Sequence, residues 1–280
     1  MKKITNKLLQ NFKTYLESCE KAPATIEKYM RDIRAFSIWL GERPLDKAVM
    51  LQYKNAMIEQ YAPQSVNSVL SSVNSFLEYM QWCDCKVKTL KIQKQIFSNR
   101  EKELTKAEYE SLLTVAKNKN YKLYLLLVTV CSTGIRVSEL QHISVASVKQ
   151  GSAFIRGKGK MRIVILPEQL CSLLSSYVKE KKIQSGPVFV TKGGKPLDRS
   201  NIWKMFKKLC QKAKVPEEKV FPHNLRHLFA RTYYSMEKDV VKLADILGHS
   251  NINTTRIYTM ETGEEHRKQI QRLGLVYFGE

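Results

Sequence analysis

The chain has 280 residues, 43% hydrophobic and 26% charged, which is globular composition for one large or two ordinary domains and excludes a disordered or collagen-like chain. No run approaches the roughly 18 consecutive apolar residues of a membrane span. Lys and Arg number 47 against 26 Asp and Glu, and a net charge of +21 points to a polyanionic partner, nucleic acid before others.

The basic start is followed by Leu8, Leu9, Phe12 and Leu16 at helical spacing, an amphipathic helix over about 5–20 rather than an export signal. Pro23 breaks the chain, and Ile26, Met30, Ile33, Phe36 and Leu40 then repeat with the helical period up to Gly41. A third helix is expected over about 46–61. A fourth starts after Pro63, with Val66, Leu70, Val73, Leu77 and Met80 as its apolar stripe. Its other face carries Ser65, Asn67, Ser68, Ser71, Ser72 and Asn74, small donors with no acidic group among them. Such a face suits close approach to a phosphate backbone, and an ordinary solvated face has the same composition. Residues 1–82 therefore read as an all-helical domain. Residues 83–103 lose periodicity and carry Lys86, Lys88, Lys91, Lys94 and Arg100, a basic linker suited to lying along DNA.

Residues 104–280 are mixed. Helices are expected over about 105–117 and 121–132. Short β-branched or alternating runs at 144–148, 153–156 and 162–165 read as strands, the last two flanking Gly157-Lys158-Gly159-Lys160 as a hairpin. Further helices are expected after Pro167 and over about 199–213, 223–236, 239–247, 251–258 and 262–273. The fold class is mainly α, a helical domain followed by a helix-rich α+β domain with a small hairpin. Both parts are basic, residues 1–98 at +6 and 99–280 at +15, as expected if both touch one anion. The six cysteines form no disulfide scaffold and read as reduced, cytosolic thiols. The closest pair, Cys83 and Cys85, lacks the second pair that a zinc site needs.

Four clusters carry chemistry. In His223-Asn224-Leu225-Arg226-His227, two histidines four apart invite a zinc-protease reading, but Asn224 stands where that motif needs its general-base glutamate. His223 and Arg226, three apart on one helical face, make an oxyanion or phosphate site; a surface pair would look the same. In Thr133-Gly134-Ile135-Arg136-Val137-Ser138-Glu139-Leu140, apolar neighbours predict a substantially buried Arg136 held by Glu139 at i+3, either as a ligand site or as a structural ion pair. The hairpin tip offers Lys158 to a groove, or is a solvated turn. Leu247-Gly248-His249-Ser250 ends a helix, and a short helix then presents Tyr258, one of thirteen tyrosines that periodicity does not single out.

Taken together and in this order, TGIRVSEL (133–140), GKG (157–159), HNLRH (223–227), LGHSNINTT (247–255) and RIYT (256–259) resemble the tyrosine recombinases of the phage-integrase family, and within them the short Xer-like type. Residues 25–36 and 63–80 resemble that family's SAM-like, core-binding helical domain, so the resemblance covers nearly the full chain. It implies DNA strand exchange without metal or nucleotide cofactor. Tyr258 would attack a backbone phosphate to give a 3′-phosphotyrosine and a free 5′-hydroxyl. Arg136, Arg226 and His249 would stabilise charge on the non-bridging oxygens. Lys158 would protonate the leaving oxygen, and His223 would serve as a donor or base beside the nucleophile. Glu139 would orient Arg136, and His227 would support or pack.

In one respect the sequence departs from the family: the hairpin is a residue shorter than usual, so Lys160 competes with Lys158 as general acid. Ser68, Ser71, Ser72, Lys86, Lys88, Lys160 and Arg162 are the expected DNA contacts. Double-stranded DNA is the expected partner, with a tetramer formed on two sites through the C-terminal segment, where Ile270, Leu273 and Leu275 are possible anchors; an accessory protein is possible. Two other functions share parts of this pattern. A type IB topoisomerase uses the same phosphotyrosine chemistry, but the tight HNLRH and LGH spacing favours recombination. A DNA-binding regulator that has lost catalysis would lack at least one of the six catalytic positions, and all are filled.

Overall fold

Proline and side-chain caps decide where the first four helices begin. The computed structural model describes residues 2–93, 100–157, 160–191, 193–260, 263–273 and 275. It divides the chain into two compact units, residues 1–94 and 95–280. In the first unit, α1 (Asn6–Ser18) is capped by the Thr5 hydroxyl, which accepts from the Leu8 N–H, and α3 (Lys47–Gln60) by Asp46, which accepts from the Val49 N–H. The helices α2 (Pro23–Leu40) and α4 (Pro63–Tyr79) each open on proline, whose missing N–H would have no partner in a first turn. Their stripes close two adjoining cores. One packs Phe36, Met50, Tyr53, Leu70 and Leu77; the other sets Phe12 edge-on against Phe76 at 5.2 Å.

Two expectations for this unit are corrected. Ser72 does not face solvent: it is fully buried, accepts from the Lys28 ammonium at 2.9 Å and donates to Asp32 at 2.8 Å. A buried carboxylate needs those donors, so the fourth helix spends part of its polar face on its own fold. Nor are residues 83–90 free linker. Cys85 and Val87 sit in the core. The amide of Asn67 brackets Leu90, and that of Asn74 brackets Val87, each donating to the backbone carbonyl and accepting from the N–H. Ser68 and Ser71 remain exposed.

In the second unit α6 (Tyr121–Thr133) is apolar on nearly every side, so it runs through the middle. Against it pack α5 (Lys106–Lys119), α8 (Glu168–Glu180) and α10 (Pro222–Glu237), and α9 (Arg199–Ala213) packs on α5. The hairpin pairs β1 (Ser152–Gly157) with β2 (Lys160–Ile165), antiparallel from Ser152↔Ile165 to Gly157↔Lys160. The expected strand at 144–148 is instead the short helix α7 (Val145–Gln150). Ser144 and Ser147 cap its start reciprocally, and Val145 and Val148, three apart, bury one helical face. The unit continues through α11 (Val240–Leu247), α12 (Asn253–Arg256) and α13 (Gly263–Arg272).

Ser72→Ala is expected to destabilise the protein by about 1–3 kcal/mol, because the buried Asp32 loses a donor, while Ser68→Ala changes stability little. Denaturant unfolding of the two variants checks this. Equal midpoints would return Ser72 to the surface.

Candidate active site

Helix α10 opens on Pro222, and its first two turns carry His223, Arg226 and His227. Asn224, between them, is buried and donates to the carbonyls of Lys102 (2.8 Å) and Lys219 (2.9 Å), pinning the helix start to two neighbouring segments. Arg226 is only 2% exposed. Its guanidinium donates to the carbonyls of Gly134 and Leu247 (2.7 Å) and lies 3.0 Å from His249 Nε2. Both carbonyls are at helix ends: α6 stops at Gly134 (φ +63°) and α11 at Gly248 (φ +65°), each in the left-handed region. A Cβ on Gly134 would collide with the Phe229 ring, so glycine is needed there twice over.

His249 follows Gly248, and its Nδ1 lies 2.8 Å from the buried Thr255 hydroxyl. Arg226 can only donate, so Nε2 accepts and the single imidazole proton sits on Nδ1, shared with Thr255. Tyr258 follows α12. Its ring is buried against Ala230, Leu243 and Leu247 and stands 4.5 Å from the His227 ring at 80°, which in turn stands 4.7 Å from His223. Nucleophile candidate and phosphate-site candidates thus converge within one chain.

Arg136 is 40% exposed, contrary to the expectation of substantial burial, because it follows the turn at Gly134 and leads into a short 3₁₀ segment, Val137–His142. Glu139 holds it as expected, accepting from the Arg136 backbone N–H at 3.0 Å and from its Nη1 at 2.9 Å. The expected role of Arg162 as a DNA contact is corrected. Its side chain is 13% exposed, pairs with Glu139 at 2.5 Å and donates to the Ile246 carbonyl at 2.6 Å. β-Alternation puts it beside Val164 on the inner face of the hairpin. Lys158 and Gly159 lie outside the described residues; of Lys160, the backbone opens β2. Lys88 is exposed, and Lys86 is half-buried against Glu78 at 3.1 Å. Sequence reasoning missed Thr255 and Asn224 as supports; only the three-dimensional contacts reveal them. Among the described residues no group of three His, Cys, Asp or Glu is arranged to hold a metal ion.

The electrostatics follow from burial first and crowded positive charge second. Burial, then Arg136, pulls Arg226 down to about 10, with the nearby Tyr258 hydroxyl acting the other way. Burial and then Arg226 and Arg136 hold His249 at about 4; burial, His223 and Arg226 do the same to His227. His223 is lowered by desolvation, then Arg226 and Arg136. Burial pushes the Glu139 carboxyl up, but the Arg136 N–H and Arg162 outweigh it and the net shift is down. The pocket is cationic and its histidines are neutral: a site waiting for an anion.

The chain has relatives among known proteins. Residues 102–265 match the phage integrase family, and residues 9–83 match the phage integrase N-terminal SAM-like domain. The tyrosine recombinase XerA of Thermococcus kodakarensis is 30% identical over 97% of this chain and 96% of its own. The XerD recombinase of Staphylococcus aureus is 28% identical over 87% of this chain and 90% of its own. Among solved structures, a XerA recombinase is similar with a TM-score of 0.54 at 25% identity, covering 98% of this chain and all of that one. A lambda integrase dimer bound to a core site reaches 0.72 at 19% identity, over 92% of this chain and 96% of that one, a likeness of fold. The chain belongs to the phage integrase family, the tyrosine recombinases. It is a site-specific DNA recombinase, and the expected mainly helical fold with a SAM-like first domain holds.

Between about pH 4 and the ordinary imidazole value of 6.5, the unfolded chain carries protons on His227 and His249 that the folded chain excludes. Stability therefore rises with pH across that window. The thermal midpoint is expected to fall as the pH is lowered through it, and His249→Gln or His227→Gln to flatten that dependence. A midpoint constant across the window in the parent protein would contradict the neutral-histidine pocket.

Proposed function

We propose that Tyr258 is the nucleophile and that Arg136, Arg226 and His249 bind the phosphate it attacks. The observation that carries this reading is the buried Tyr258 ring stacked 6.0 Å from the ring of His249, whose Nε2 lies 3.0 Å from the buried Arg226 guanidinium of the same chain. The phenolic oxygen bonds to phosphorus, the P–O5′ bond breaks, and the product is a 3′-phosphotyrosine with a free 5′-hydroxyl. A 5′-hydroxyl from the second duplex then attacks the ester and expels the phenol, so the phosphodiester is conserved and no ATP is consumed. Charge gathers on the two non-bridging oxygens, where fixed donors act most strongly. His227 packs on the Tyr258 ring and His223 on His227; the neutral His223 is the group we assign to the Tyr258 proton, and Lys158 of the hairpin delivers one to the departing 5′-oxygen. No metal or other cofactor is needed by this route. His249 begins as an acceptor toward Arg226; an arriving phosphate competes for Arg226 and favours a protonated, donating imidazole.

Both basic units would grip double-stranded DNA, with Ser68, Ser71 and Lys88 of the first unit toward it. Residues 83–103 join that unit to the catalytic domain, though residues 83–90 pack with the first. Four copies would assemble on two sites, each lending its C-terminal segment to a neighbour. This is supported by α13, which buries no residue and leaves Ile270, Leu273 and Leu275 exposed. The cytoplasm, where DNA is available and the free cysteines stay reduced, is the compartment we assign.

Tyr258→Phe is expected to abolish the covalent DNA adduct on a suicide substrate while DNA binding stays within about twofold, since one hydroxyl is lost and no phosphate contact. A denaturing gel reads the result. Persistence of the adduct would move the nucleophile elsewhere. A second substrate separates the two lysines. Lys158→Ala is expected to stall on ordinary DNA and to cleave normally when the 5′-bridging oxygen is sulfur, because a thiolate leaves without an acid. Lys160→Ala shows no such rescue. Rescue at Lys160 instead would reassign the acid.

A further inference from the structure

We propose that Arg162 is a positioning residue for the recombination site: it locks the Glu139 carboxylate, and through it the Arg136 fork, to the backbone that leads into His249. The inference rests on the assignment of Arg136 to the phosphate given above and adds a residue that does not itself touch DNA.

Three observations converge on this guanidinium. First, its two terminal nitrogens are committed in opposite directions. Nη2 meets Glu139 Oε2 at 2.5 Å, and Nη1 meets the Ile246 carbonyl at 2.6 Å, three residues before His249. Second, Glu139 cannot satisfy Arg136 by itself in a fixed pose. Its Oε1 takes Arg136 Nη1 and its Oε2 takes the Arg136 N–H, so rotation of the carboxyl would carry the Arg136 fork with it. Arg162 is the other charge on that carboxylate, and a bidentate arrangement held from two sides stops the rotation. Third, the Arg162 stem crosses directly over Gly248. A Cβ there would strike Arg162 Cδ and Nε, so the helix end that carries His249 is shaped around this side chain. Arg162 Nε is buried with no hydrogen-bond partner among the described residues, which does not suit a side chain free to reach into a groove.

The arrangement links three segments far apart in sequence: strand β2, the 3₁₀ segment after Arg136, and the end of α11. Arg136 and His249 approach a common phosphate from different segments, and nothing in either segment alone sets their separation. Arg162 sets it. Positioning errors of about 1 Å in such a group cost on the order of 10²-fold in rate.

The test compares single-turnover cleavage of a suicide substrate carrying either the normal scissile phosphate or a methylphosphonate. The methyl group removes the negative charge that Arg136 neutralises, so loss of Arg136 matters less on it. Arg136→Ala is the reference and is expected to cleave the methylphosphonate better, relative to the phosphate, than the parent does. Arg162→Met is expected to lower phosphate cleavage on the order of 10²-fold, with DNA affinity and its salt dependence near those of the parent. It is also expected to shift the ratio of the two rates in the direction of Arg136→Ala. Arg162→Lys, which keeps one donor and the charge, falls between parent and Met. Equal losses on both substrates, a merely structural effect, would overturn the proposal. So would weakened binding with a shallower salt slope, the mark of a DNA contact. If Arg136→Ala itself shows no shift, the assignment of Arg136 to the phosphate has failed instead, whatever Arg162 does. Should Arg162→Met not fold, the Lys variant carries the same comparison.

Discussion

The catalytic unit depends on one buried cation. Arg226 is 2% exposed, and among the described residues no carboxylate lies within ion-pair distance of it. A buried charge without a counter-ion is ordinarily expensive, since desolvation must be offset by something. Here it is offset by dipoles: the carbonyls of Gly134 and Leu247, each at the end of a helix where carbonyls lack helical partners, and the lone pair of His249. Carbonyl dipoles hold the guanidinium without cancelling its charge. The acidic residue of the site, Glu139, is shared between Arg136 and Arg162. The positive potential of Arg226 therefore survives, and after burial it is one of the causes that lower His223, His227 and His249. Donors fixed before substrate arrives need no reorganisation when charge develops, which is the economical way to stabilise a pentacoordinate phosphorus.

Much of this could be read from the chain, and what could not has a physical reason. Every described helix of eight residues or more was expected, and for α1, α2 and α4 the signal was an apolar stripe at helical spacing, because burial of one face is a property of the helix itself. The i, i+3 pairing of Arg136 with Glu139 was legible because a capping pair at the start of a helical turn is local in sequence. Contacts between distant segments were not. Ser72 and Ser68 are four apart on one helix and chemically identical, and only the arrival of Lys28 and Asp32 from α2 makes one of them structural. The run 144–148 is β-branched, but two serines three apart supply reciprocal caps, and that local hydrogen bonding outweighs strand propensity. Arg162 had a faint signal. Strand alternation pairs it with Ile155 and puts it on the face of Val164, but Met161, Ile163 and Ile165 on the other face are apolar as well and exposed. The pattern alone therefore did not say which side faced inward.

The site is assembled so that its parts cannot drift independently. Tyr258 is kept in place by apolar packing on Ala230 of α10 and on Leu243 and Leu247 of α11. Those two helices also carry Arg226 and, just past Gly248, His249. The ring of the proposed nucleophile and the donors proposed for its target are thus carried by the same two packed helices, and a shift of either helix moves both. Arg136 is the exception: it is the more exposed of the two arginines proposed to bind the phosphate and sits on a turn. What ties it to the end of α11 is the chain of contacts through Glu139 and then Arg162, the route we propose for its alignment. A reaction that conserves bond energy gains nothing from a downhill step, so its rate rests on that alignment being present in every copy before DNA is cut.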